Sequence, residues 1–302
     1  MEESAAERNA LPTTSLILCS RNRPQFVSEA LAAVLAGADV PSEIIIVDQS
    51  DTVHEMPFQA VQSGIRVRYL WRPGRGLSLA RNTGIAASRG KVLAFLDDDV
   101  LVGSEWFGTL VRALVAAGPR TVVTGRVLSG EPERPGAFAP SLSVGEHVVV
   151  HEGRPGRDVL LPMNMAMYRS ALGVVGLFDE RLGVGSGFPS SEDNDLGLRL
   201  LEAGFRILHD PDVVVIHRAW RSPQALLPLR WAYGRGQGAY YAKHASLRDR
   251  YMVQRLAWDV GRHLRRAPRR ARDDPRSGIA DVVYSAAVLT GAAQWLLRRP
   301  PP

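Results

Sequence analysis

Asp97-Asp98-Asp99 follows directly on the apolar run Val92 to Leu96. Three adjacent carboxylates at the end of a buried strand repel one another and need compensation. A divalent cation with oxygen ligands supplies it, and Mg²⁺ or Mn²⁺ commonly bridges such acids to a diphosphate. The competing account is an acidic turn before a helix, where the dipole favours Asp. Strand alternation would send Asp97 and Asp99 to one side and Asp98 to the other. Other polar groups also stand where apolar runs end: Arg21 and Asn22, Asp48, and His217. Asp48 alone reads equally well as a turn-capping Asx residue or as a ligand. His217 alone reads as a strand-end histidine satisfied by backbone. Gathered at one edge, these groups make a site.

That edge needs a scaffold. Thr14 to Ser20, Glu43 to Val47, Arg66 to Leu70 and Val92 to Leu96 are short apolar runs that read as strands. Pro24 can open a helix carrying Phe26, Ala30, Leu31, Val34 and Leu35 at helical spacing. A second helix is expected from about Ser78 to Ser88, and a third with Ser104 as N-cap. Residues 129–146, rich in Pro and Gly, predict a long loop of the kind that usually serves function. Ser190 to about Ala203 predicts a further helix closed by Gly204, and Val213 to Ile216 a last buried strand. Asp195 and Arg199, four apart, read as a helix-surface pair. Strands alternating with helices at this spacing predict an α/β fold with a mostly parallel, Rossmann-like sheet flanked by helices. Ligands of such sheets bind at the carboxyl ends of the strands, where the loops converge.

Composition narrows the class. The 302 residues are 45% hydrophobic and 23% charged, ordinary for a globular chain with a real core. One cysteine, Cys19, excludes a disulfide framework or a cysteine-based zinc site. The Met-Glu-Glu-Ser start lacks a signal-peptide pattern, which makes the cytoplasm the expected compartment. No uncharged apolar run reaches membrane-spanning length. The net charge of +6 conceals an asymmetry. From Arg218 onward there are 17 Lys/Arg against 5 Asp/Glu, a net of +12, which leaves the rest at −6. An acidic body argues against nucleic acid as a partner.

Together the motifs resemble those of the family 2 glycosyltransferases, which have the GT-A fold. The matching residues are Cys19-Ser-Arg-Asn-Arg-Pro24, Glu43-Ile-Ile-Ile-Val-Asp48, Gly76-Leu-Ser-Leu-Ala-Arg-Asn-Thr-Gly84 and Phe95-Leu-Asp-Asp-Asp99. Further matches are Asn164-Met-Ala-Met-Tyr-Arg169, Gly176-Leu-Phe-Asp-Glu180, Ser191-Glu-Asp-Asn-Asp-Leu196 with Arg199, and Pro211 to His217. They run in the family's order over roughly residues 13–217.

The resemblance implies an inverting transfer from a nucleotide-sugar, UDP-, dTDP- or GDP-linked, to an acceptor hydroxyl. It implies that Asp48 binds the donor's nucleobase with Arg81 beside it, and that Asp97 meets ribose or sugar hydroxyls. It implies that Asp99 holds Mg²⁺ or Mn²⁺ on the diphosphate, with His217 completing the metal shell as in some relatives. Arg21 and Asp98 join the donor-binding set, and Asn164 lines the donor sugar. Cys19-Ser20-Arg21 stands where uridine-binding relatives often carry Pro-Thr-Tyr, which leaves the base open. Glu192-Asp193 corresponds to the catalytic acidic dipeptide, with Asp193 as general base and Glu192 as the substitute. The same Ser190-x-x-Asp193 spacing also resembles a helix cap. The acceptor is a glycan, a lipid-linked glycan or a small natural product.

Two units are expected, residues 1–245 as the GT-A domain and 246–302 as a helical, arginine-rich extension. Residues 262–276 hold seven arginines, and 279–297 are mostly apolar. This pairing fits peripheral contact with the inner face of a membrane, or equally a helix packed on the body. Trp231 to Tyr241 could contact the acceptor or pack. Two rival functions remain: a nucleotidyltransferase, which usually has a Gly-rich basic loop after its first strand, and a non-catalytic nucleotide-sugar-binding protein.

Overall fold

The computed structural model describes residues 11–55, 65–246 and 248–298. The expectation drawn from the first four residues, and residues 299–302 of the extension, lie outside the described residues. The elements in chain order are β1 (Thr14–Ser20), α1 (Pro24–Leu35), β2 (Glu43–Asp48), β3 (Arg66–Trp71), α2 (Leu77–Ala87), β4 (Val92–Asp97) and β5 (Val100–Val102). Then come α3 (Trp106–Ala117), β6 (Thr121–Pro132), β7 (Val149–His151), β8 (Asn164–Tyr168), α4 (Ser170–Val175), α5 (Glu192–Glu202) and β9 (Arg206–Ala219). Three helices close the chain: α6 (Leu226–His244), α7 (Tyr251–Asp273) and α8 (Pro275–Leu297).

The strands form one sheet in the order β3-β2-β1-β4-β8-β6-β9-β5, with β7 on β9. Alternate residues of each inner strand feed opposite faces, as period-two geometry requires. Leu16 and Leu18, Ile44 and Ile46, and Ala94 and Leu96 pack with α1 and α3. Ile17 and Cys19, Ile45 and Val47, and Leu93 and Phe95 pack under α2 and α5. Both faces are covered, so these strands read as continuous apolar runs and were legible without structure. Each buried Leu or Ile contributes about 1.5–3 kcal/mol relative to exposure.

The parallel reading holds for β3-β2-β1-β4. Beyond β4 the sheet is mixed, because β8 runs antiparallel to both β4 and β6. Asn164 and Met165 lie in β8, which leads into α4. Residues 129–132, expected as loop, continue β6, which pairs in parallel with β9. Ser104 does not cap α3; the helix follows Glu105 and has no side-chain cap. Gly204 does take a left-handed φ of +78° after α5, as a C′ glycine should. Asp195 and Arg199 are not a surface pair. Asp195 is fully buried and also meets Lys243 (2.5 Å) and His244 (2.7 Å) of α6. The expected division at residue 245 falls between α6 and α7, while α8 packs along α6.

Candidate active site

The carboxyl ends of β1, β4 and β9 open into a cleft of about 440 Å³. Arg21, Arg23, Gln49, the Asp97–Asp99 run, His217 and Trp220 all line it. Strand alternation stops at Asp97, where β4 ends, so Asp98 and Asp99 lie in a turn and all three acids reach the same cleft.

Each acid meets a cation, and Arg23 serves two of them. Asp97 pairs with Arg81 (3.0 Å), and Asp98 with Arg23 (2.6 Å) while accepting from Ser20 Oγ (2.6 Å). Asp99 receives Arg23 (3.0 Å) and the Trp220 indole N–H (3.1 Å), with His217 Nε2 3.6 Å away. The compensation expected from a metal is therefore supplied in large part by two arginines. Arg23 sits against the rings of Phe26 and Trp220, with its charge centre 5.6 and 5.4 Å from their centroids. The two buried acids diverge. Burial pushes the Asp98 carboxyl up to about 7 against the pull of Arg23. Burial acts the same way on Asp99, but His217, Arg23 and Trp220 outweigh it and hold that carboxyl well below its ordinary value. The Cys19 thiol in the same cleft is pushed up to about 12 by burial, so it is no nucleophile.

A divalent cation fits one place here. Asp99 Oδ1 and His217 Nε2, 3.6 Å apart, are too far for a hydrogen bond. Two donors at about 2.1 Å from a shared ion can stand that far apart. His217 Nδ1 is buried with no hydrogen-bond partner among the described residues. No three carboxylate, histidine or cysteine side chains among the described residues gather into an ion site of their own. The pair thus suits an ion whose remaining ligands are water and substrate phosphate, the usual arrangement for Mg²⁺.

A second cleft of about 250 Å³ adjoins the first, sharing Leu77, Asp97, Ser141, Met163 and Tyr233. Glu192 and Asp193, at the start of α5, face it. Arg81, 2% exposed, lines this second cleft and joins the two acid clusters: besides Asp97 it binds Glu192 at 2.8 Å. Among the described residues it makes no ion pair with Asp48. Asp193 accepts only from the neighbouring Asn194 N–H (2.8 Å) and has no ion pair among the described residues. Burial, and then the charge of Glu192, push its carboxyl well above the ordinary range. A proton acceptor tuned upward in a cleft is what general-base chemistry requires.

The capping account of Asp193 fails. Ser191 is the N-cap, in the left-handed region at φ 69°, and no side chain caps α5. Ser191 Oγ instead donates to Gln237 Oε1 (2.7 Å), which also accepts from Asn194 Nδ2 (2.8 Å). Ser190 Oγ donates to the Tyr233 carbonyl (2.8 Å). Helix α6 therefore holds the strained turn that aims the two acids. Helix α2 holds it from the other side. Ser78 Oγ donates to the Leu182 carbonyl (2.7 Å), and Asn82 accepts from the Phe178 N–H (3.1 Å). Gly183 and Gly185 have φ of +103° and +85°, and a Cβ on Gly185 would stand 2.9 Å from the Gly76 nitrogen. Their role is conformation and close approach.

Two expected residues stay out of the clefts. Asp48 is buried, accepting from Tyr69 Oη (2.6 Å) and from the N–H and hydroxyl of Ser50; its neighbour Gln49 lines the larger cleft instead. Asn164 is fully buried, accepting from the Trp106 indole (2.9 Å) and donating to the carbonyls of Arg126 and Val213 (3.0 Å each). It ties β8 to β6, β9 and α3, while Met163 faces both clefts. Sequence reasoning missed Arg23, Arg75 and Trp220 as lining residues, though Arg23 and Arg75 carried a signal, since each stands in a strand-end loop. Tyr233 and Gln237, from the Trp231–Tyr241 stretch offered as an acceptor contact or a packing segment, line the smaller cleft.

Comparison with known proteins bears on this geometry. The model of the family described as "Glycosyl transferase family 2" matches residues 15–173. The pre-mycofactocin glycosyltransferase of Mycobacterium tuberculosis is 31% identical over 184 residues, 58% of this chain and 37% of that protein. The chain thus spans little more than a third of that relative's length. The succinoglycan biosynthesis protein ExoM of Rhizobium meliloti is 25% identical over 257 residues, 80% of this chain and 78% of its own. Among solved structures, the mannosyltransferase PcManGT of Pyrobaculum calidifontis, in complex with GDP-Man and Mn²⁺, superposes with a TM-score of 0.61. It is 16% identical, over 96% of this chain and 89% of the other. The chain belongs to glycosyl transferase family 2 and has its GT-A fold.

Proposed function

We propose that the protein is a metal-dependent, inverting glycosyltransferase that moves a sugar from a nucleoside-diphosphate sugar to an acceptor hydroxyl. The observation that carries this reading is the unpaired carboxylate of Asp193, in a cleft that adjoins the acid-lined one. The larger cleft takes the donor and the smaller one the acceptor. Arg21 and Gln49 meet the nucleoside end, and Asp97 meets sugar or ribose hydroxyls. Asp99 and His217 would hold Mg²⁺ or Mn²⁺, which when bound stabilises the charge of the departing diphosphate. A solved mannosyltransferase of the same fold, in complex with GDP-Man and Mn²⁺, supports a nucleotide-sugar donor and a divalent ion.

Asp193 takes the proton of the acceptor hydroxyl as that oxygen bonds to the anomeric carbon. The bond from that carbon to the diphosphate oxygen breaks, and the diphosphate leaves with the electron pair on the opposite face. The configuration inverts. Arg81 occupies Glu192 in an ion pair (2.8 Å), which leaves Asp193 as the carboxylate free to take the proton. Arg23 offsets the charge of Asp98, so the acid turn does not repel an incoming diphosphate.

The test is a thermal-shift panel of UDP, dTDP and GDP with and without Mn²⁺, followed by NMR of the product made from the donor so identified. One base should raise Tm in a Mn²⁺-dependent manner, and the product should carry the inverted anomeric configuration. Retained configuration sinks the single displacement, and no response to any nucleotide sinks the donor reading.

A further inference from the structure

Helix α8 has the length and composition of a membrane span, yet its inner face is already used. Ala287, Val288, Gly291 and Trp295 are buried. A Cβ on Gly238 would fall 1.9 Å from the Val288 carbonyl oxygen, and one on Gly291 would fall 2.1 Å from that of Arg235. The backbones of α6 and α8 are in contact through these glycines. Asp281 on α8 is fully buried, with His263 (2.7 Å) and Arg266 (2.7 Å) on its carboxylate. A spanning α8 would carry that carboxylate into hydrocarbon and tear it from these partners.

The outer face is different. Ile279, Val282, Leu289 and Leu296 fall on one side of the helix, each about half exposed. Ala286 and Ala293 are exposed between them. No charged residue interrupts this side, and arginines bracket it: Arg276 before and Arg298 after. Arg266 and Arg270 of α7 bind the inner-face Asp281 while staying partly exposed. Arg262, Arg265 and Arg269 are exposed on α7, and Trp258 is half-exposed with Arg262 over its ring (4.9 Å).

We propose that the outer face of α8, with the arginine flank of α7, docks flat on an anionic lipid bilayer. An apolar stripe seats at the headgroup boundary when its flanks are cationic, and Trp favours the same depth. Charge selects the occupant: a second copy meeting this face with its own would bring the same arginines and repel. Tyr284, on the inner side of α8, lines the smaller cleft. On the reading of that cleft as the acceptor's, docking holds it about one helix diameter, ~10 Å, from the lipid surface.

Co-sedimentation of the full chain with vesicles tests this apart from any activity. Adding phosphatidylglycerol to phosphatidylcholine vesicles should strengthen binding about tenfold or more, and salt should weaken it. The double substitution Val282→Glu and Leu289→Glu should remove binding to either vesicle with Tm unchanged. Arg265→Glu with Arg269→Glu, on exposed sites, should remove the preference for phosphatidylglycerol. Equal binding of the wild type to both vesicles, binding that survives the glutamate pair on α8, or a phosphatidylglycerol preference that survives the glutamate pair on α7 overturns the proposal. So does absence of pelleting. Self-association of the wild type in sedimentation velocity, lost on Leu289→Glu, would give the face to a second copy instead.

Discussion

Two acid clusters lie within one continuous hollow, and they are balanced in opposite ways. In Asp97–Asp99 every carboxylate meets a cation: Arg81, Arg23, or Arg23 with His217 nearby. In Glu192-Asp193 only the first does, and the second is left to burial and to its neighbour's charge. In the first cluster the cations hold Asp99 well below its ordinary value, although burial still pushes Asp98 up to about 7. An unbalanced carboxylate is poised to accept a proton. Arg81 touches both clusters, so the asymmetry rests on one side chain.

The largest effect that bears on this contrast is expected at the unbalanced member. Asp193→Asn should lower turnover by about 10²–10⁴, the usual contribution of a positioned base. Donor affinity by calorimetry should hardly change, because the group acts in the transition state. Tm at neutral pH should rise, since a buried carboxylate without a cation is gone. If turnover survives, Glu192 takes the role. The pH profile adds a sign. Wild-type turnover should rise with pH through an inflection above the ordinary carboxylate value of ~3.9. Over that same window the folded state keeps a proton that the unfolded chain has released. Stability therefore falls as pH rises, and the variant's stability curve should lose that slope.

Arg81→Met strikes the shared residue. It leaves Asp97 and Glu192 buried or half-buried without their cation, and breaking such pairs costs about 3–5 kcal/mol, measurable by urea denaturation. Arg81 also lowers the Asp193 carboxyl, so the inflection in turnover should move to higher pH. An unmoved inflection would mean that the two clusters are electrically separate.

Asp99→Asn tests the balanced side. Metal and nucleoside diphosphate should bind cooperatively in the wild type, with coupling of about 5–150-fold, and independently in the variant. Titration of the diphosphate with and without Mn²⁺ reads this directly. A metal response that persists reduces the cluster to an acidic turn.

The smallest effect marks the border of the site. Asn164→Leu should cost about 1–3 kcal/mol through the stranded Trp106 indole N–H and the carbonyls of Arg126 and Val213, with donor affinity unchanged. A fall in affinity would return Asn164 to the donor cleft.

The sequence by itself determined the strands β1 to β4 and the groups standing at their ends. Both faces of β1, β2 and β4 are buried, so their apolar runs are unbroken and their polar ends stand out; the edge strand β3 is only partly buried. It also determined the order of the motifs, and with it the family. The tertiary structure alone decided which motif residues reach the clefts. Asp48 and Asn164 carry the right chemistry at the right places in the chain, but their polar atoms are consumed by Ser50 and Tyr69, and by Trp106 and two carbonyls. Arg23 and Arg81 became the counter-charges of acids 76 and 111 residues away. Gln237 acquired its task from the turn at Ser191. Such pairings depend on distance in space, which local periodicity does not encode. The two faces of α8 show the same division. Its apolar composition was plain from the chain, but only the glycine contacts with α6 reveal which side is spent on packing and which is left outward.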